Sequence, residues 1–176
     1  MPLAILLGAS QTATAAISPL AAYQTACLNN DVSRLRNELP LASVNELPET
    51  ARRLLGSNFV DVHILASFMP GMTFSSPENL TNTVLRIGER PDGFVILPIA
   101  GTRKPSDFGQ LCAVVYRGTD LHEAIATVSP KDAERHAKAT AKGRTAQQYF
   151  RRVLKGQELS VEALDGWISL GAKTSR

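Results

Sequence analysis

The chain has 176 residues, 44% of them hydrophobic, and a net charge of +3, which suits one globular domain able to bury a core without help from a metal. The positive charge belongs to the C-terminal end: residues 1–130 carry nine Lys/Arg against eleven Asp/Glu, and residues 131–176 carry ten against five. No apolar run approaches the ~20 residues that a bilayer-spanning helix needs, which excludes an integral membrane class of that kind.

Residues 1–15 contain no charged side chain. They begin with an apolar run, Leu3 to Ala9, and end in Ala13-Thr14-Ala15, which fits the small-x-small cleavage rule of an export signal. The expected organisation is therefore a signal over 1–15 and a single domain over 16–176, in the periplasm or secreted. Ser18-Pro19 then caps a helix with proline at its first position, and Leu20, Tyr23 and Cys27 fall on one of its faces. Thr25-Ala26-Cys27 is similar to the end of a bacterial lipobox, but Gln24 stands where such a box carries an aliphatic residue. A second helix starts at Asp31, with Val32, Leu35 and Leu39 apolar and Pro40 stopping it, and a third runs from Pro48 to Gly56.

From Asn58 the period changes. Phe59 to Phe68 reads as a first strand, and Arg90-Pro91-Asp92-Gly93 as the turn of a hairpin between Thr81–Gly88 and Phe94–Ala100. The β-branched run Phe108 to Arg117 reads as a buried strand with Cys112 at its centre. Asp120 caps the next helix, and Ser129-Pro130-Lys131-Asp132 starts another that ends near Gly143. A further helix is expected from Thr145 to Gly156, with Tyr149, Phe150, Val153 and Leu154 as its core stripe. Asp165-Gly166 favours a tight hairpin between Glu158–Leu164 and Trp167–Ala172. These elements add up to an α+β fold: a mainly antiparallel sheet of four to six strands, with helices from both chain ends packed on one face.

The two cysteines, Cys27 and Cys112, are expected to join as a disulfide in an oxidising compartment. If residues 1–15 are not a signal, two buried free thiols become the better reading. Cys112 has no neighbouring base or cation in the sequence to activate it, so its expected role is mechanical.

Candidate chemistry is sparse. Asp61 and His63 share a strand face, and a carboxylate there orients an imidazole for catalysis. The nearest hydroxyl on that face, Ser67, lies ~13 Å further along an extended strand, beyond hydrogen-bond reach. The cysteine and histidine spacings match no metal knuckle, no glycine-rich loop cradles phosphate, and no motif calls for a cofactor. Between residues 131 and 155, Lys131, Arg135, Lys138, Lys142, Arg144, Arg151, Arg152 and Lys155 stand against Asp132 and Glu134. On a pair of helices they would form a basic face for an anionic polymer or a lipid surface.

Tyr23-Gln-Thr-Ala-Cys27, Leu111-Cys-Ala-Val114 and the helix start Gly118-Thr-Asp120 resemble small exported two-cysteine proteins of Gram-negative bacteria. That resemblance implies a compartment and a disulfide and transfers no activity. The leading expectation is an exported, disulfide-stapled, non-catalytic envelope protein that holds an anionic partner on its basic helices. One alternative is a small periplasmic hydrolase using Asp61 and His63. The other is a cytosolic nucleic-acid-binding protein, which requires that the N-terminus not be a signal.

Overall fold

The computed structural model describes residues 17–56, 83–88, 92–97, 111–141, 149–154 and 156–174. The expected signal over 1–15 and the expected strand Phe59–Phe68 lie outside these residues.

The N-terminal helices form where the caps place them. Ser18 accepts a hydrogen bond from the Ala21 amide at 3.2 Å and Pro19 opens α1 (Pro19–Tyr23), which continues through a π-helical turn, Gln24–Leu28. Asp31 caps α2 (Val32–Glu38). A 3-10 turn (Val44–Glu46) with a Ser43/Glu46 capping box precedes α3 (Glu49–Leu55), which ends at Gly56 with φ 57°. The central strands are β1 (Thr83–Arg86), β2 (Gly93–Leu97) and β3 (Leu111–Arg117). Two helices follow, α4 (Leu121–Val128) behind its Asp120 cap and α5 (Pro130–Ala141). The last strands are β4 (Tyr149–Leu154), β5 (Gln157–Leu164) and β6 (Trp167–Thr174).

The six strands form one sheet in the order β1-β2-β3-β6-β5-β4, with every neighbouring pair antiparallel. Two three-stranded meanders thus meet along β3 and β6, where Cys112 faces Ala172 and Val114 faces Leu170. The β5–β6 turn is Asp165-Gly166, with φ 48° and 76°. Both positive angles suit a two-residue hairpin, and the strand register Leu164↔Trp167 fits it. The outer edge of β1 is paired in turn: the Ala42 amide bonds the Val84 carbonyl and the Arg86 amide bonds the Pro40 carbonyl, each at 2.9 Å.

Strand alternation divides the interior into two layers. On the first face Leu85, Val95, Leu97, Cys112, Val114, Leu159, Val161, Ile168 and Leu170 pack with Tyr23, Ala26, Cys27 and Leu35 from the N-terminal helices and Ala124, Ile125 and Val128 from α4. On the second, Val84, Phe94, Ile96, Ala113, Val115 and Trp167 pack with Leu47, Ala51, Leu54 and Leu55. Helices α1, α2 and α4 therefore share the first face while α3 covers the opposite one, so the helices lie on both faces rather than the single face expected. The physical reason lies in β2 and the buried centre of β3. Every residue of Gly93–Leu97 is buried, as are Cys112 to Val115, and a strand without polar alternation needs a cover on both sides.

Segment 149–154 departs from the helical expectation. It is β4, the edge strand of the sheet among the described residues, paired to β5 from Tyr149↔Glu162 to Leu154↔Gln157. Gly156, expected to end a helix, instead serves the β4–β5 turn with φ 75°.

Candidate functional site

The two sequence positions singled out in the core are joined. Cys27, in the π-helical turn, and Cys112, in β3, form a disulfide with their Cα atoms 5.3 Å apart and a sequence separation of 85. Both are buried, and the chain holds no free thiol. A second tie lies beside it: the Tyr23 phenol donates to the Gly171 carbonyl of β6 at 3.1 Å. The N-terminal helix is thus fixed covalently to one central strand and by a buried hydrogen bond to the next.

The basic residues do not form one face. On α5, Lys131, Arg135 and Lys138 recur at i, i+4 and i+7 and are exposed, so they share a stripe on the solvent side. Arg151 and Arg152 sit on a strand rather than a helix, so alternation sends them to opposite faces of the sheet. Arg151 forms an ion pair with Glu158 of β5. Arg152 reaches back to the α4–α5 junction, where its Nη1 donates to Ser129 Oγ at 2.7 Å and pairs with the Asp132 carboxylate. Ser129 in turn donates to Asp132 at 2.6 Å. The Ser129 hydroxyl, then Arg152 and the more distant Arg135, hold the Asp132 carboxyl below the usual carboxylate range. Lys142, Arg144 and Lys155 lie outside the described residues.

Ser129, Asp132 and Glu158 are what the sequence reading missed as partners of the arginines. The signal was present in Ser129-Pro130-Lys131-Asp132, which reads as a helix start. What was hidden is that the same cap is turned toward a strand twenty residues on. Val153 and Leu154, expected as core, are 63% and 40% exposed beside the β4–β5 turn.

Asp61 and His63 lie outside the described residues, so the catalytic alternative gains no geometry. Among the described residues no group of three or more His, Cys, Asp or Glu is placed to hold a metal ion. Burial pushes the Tyr116 phenol up to about 12, with Glu123 and Asp120 adding to the shift. Among those residues, no helix is long and apolar enough to cross a membrane.

Comparison with protein-family models, with curated proteins and with solved structures returned no match for this chain. The functional reading therefore rests on the chain's own chemistry.

Proposed function

We propose that this is an exported, disulfide-stapled, non-catalytic protein of the bacterial envelope, periplasmic or secreted, which binds an anionic partner through the cationic stripe of α5. The observation that carries the reading is the Cys27–Cys112 bridge. A chain with two cysteines, both spent on one buried structural bond, fits an oxidising compartment, because cytosolic reductants keep such pairs as thiols. The uncharged stretch 1–15, with its apolar run Leu3 to Ala9 and the small-x-small Ala13-Thr14-Ala15, supports the same reading. The anion-binding part is supported by Lys131, Arg135 and Lys138, which project from a helix that buries little of its own surface.

Intact mass tests the compartment. Protein recovered from its native fraction, treated with a thiol label before and after reduction, should lack about 15 N-terminal residues and take up label only after reduction. Retained Met1 with two labelled thiols overturns the reading. Retention on a soluble polyanion such as dextran sulfate, weakening as salt rises, tests the basic stripe. Lys131→Glu/Lys138→Glu should abolish that retention.

A further inference from the structure

The β4–β5 turn presents a combination that the basic stripe alone does not explain. Val153 and Leu154 are two large apolar side chains left exposed on consecutive residues at the end of an edge strand. Strand alternation points them to opposite faces, Val153 across from Glu158 and Leu154 across from Gln157, so each face of the tip carries one exposed apolar side chain. Soluble proteins usually blunt such an edge with charge. Here the cations flank the apolar pair in the sequence instead, as Arg151-Arg152-Val153-Leu154-Lys155.

The structure also fixes where the tip lies relative to the cationic helix. Arg152, two residues before Leu154, is tied to Ser129 and Asp132 at the start of α5. Lys131 adjoins that anchor, and Arg135 and Lys138 continue the stripe from it. The charges of Arg151 and Arg152 are met by Glu158 and Asp132, and Arg135 lies 3.6 Å from the same Asp132, so long-range attraction falls chiefly to Lys131 and Lys138 of α5 and short-range apolar contact to the tip. Exposed apolar side chains next to a cationic helix match a surface that is anionic outside and hydrocarbon beneath. A soluble polyanion would use the charges and leave Val153 and Leu154 in water.

We propose that the anionic partner is a lipid bilayer carrying anionic headgroups, with α5 attracted to its surface and Val153 and Leu154 of the β4–β5 tip entering the interface. This rests on the reading of α5 as the anion-binding element.

The test is co-sedimentation of the full disulfide-bonded protein with vesicles of phosphatidylglycerol and phosphatidylethanolamine, and with phosphatidylcholine vesicles, beside retention on dextran sulfate. Wild type should bind the anionic vesicles and not the neutral ones. Val153→Ser/Leu154→Ser should lose roughly tenfold or more in vesicle partitioning while keeping its dextran sulfate retention. Lys131→Glu/Lys138→Glu should lose both. All these side chains are solvent-facing, and an unchanged circular dichroism spectrum confirms that each variant is folded. Vesicle binding by the Val153/Leu154 variant equal to wild type overturns the proposal. Retention on dextran sulfate without vesicle binding by wild type also overturns it and leaves the anion-binding reading standing. Absence of both kinds of binding overturns both.

Discussion

Tyr23 and Gly171 are 148 residues apart in sequence, and the phenol of one donates to the carbonyl of the other at 3.1 Å inside the core. Tyr23→Phe keeps the ring and removes the donor, so it should cost about 1 kcal/mol of unfolding free energy in urea titrations. Tyr23→Ala, which also leaves a cavity, should cost about 3 to 5 kcal/mol. Burial raises the phenol's ionisation above its ordinary value of 10.0, so unfolded chain ionises before folded chain does. Stability should therefore fall as pH climbs past about 10, and Tyr23→Phe should flatten part of that alkaline slope.

The disulfide closes a span of 85 residues. Cys27→Ala/Cys112→Ala should lower stability by roughly 2 to 4 kcal/mol, with about 4 to 5 kcal/mol as the ceiling set by chain entropy. The wild type in reductant should approach the same value, measured by the same denaturation.

Asp132 and Glu162 should give opposite pH signatures. The Asp132 carboxyl is held low, chiefly by the Ser129 hydroxyl and then by Arg152, so its stabilisation is fully present above the unfolded value near 3.9. That contribution fades as pH falls through the lower folded value. Asp132→Asn should remove this acid-side loss and lower stability at neutral pH.

Glu162 is shifted the other way. Desolvation raises it, with Arg151 opposing, so keeping it ionised costs stability at neutral pH. Its favourable contribution is present below the unfolded value and is lost as pH rises through the folded one. Glu162→Gln should therefore be more stable than wild type at pH 7, with the difference vanishing below about pH 4. Chemical denaturation at matched ionic strength across that range reads both variants.

The turn at Asp165-Gly166 depends on left-handed backbone, with Gly166 at φ 76°. Its substituted Cβ would meet open space, so Gly166→Ala should cost about 1 to 2 kcal/mol through conformation alone. An unchanged melting temperature would contradict that.

Much of the fold could be read from local chemistry. Asp31, Asp120 and Ser18 act as caps where their positions suggested, and Asp165-Gly166 makes the hairpin it specifies. The cysteine pair was legible because a helix face and a buried strand each carried one sulfur. Two features were not legible, and both are tertiary. Tyr149, Phe150, Val153 and Leu154 have helix-like spacing, yet the interior partner for Arg152 sits on α5 and the partner for Arg151 sits on β5, so a strand meets both where a helix face would not. The side taken by α3 is set by which face remained uncovered, and Ala51, Leu54 and Leu55 would serve either side equally. Of the candidate site, Lys131, Arg135 and Lys138 keep the stripe that their spacing dictated, while long-range ion pairs claim the two arginines.

The segment Pro40–Ala42, laid along the outer edge of β1 by two backbone hydrogen bonds, has a consequence for self-association. A sheet with two open borders can recruit copies of itself from either side and grow without limit. Here one border is closed from within the same chain, with a proline in the closing segment. Among the described residues, an edge-to-edge encounter through β4 would join two copies and leave outward the β1 border that Pro40–Ala42 already occupies, which disfavours further growth by sheet extension.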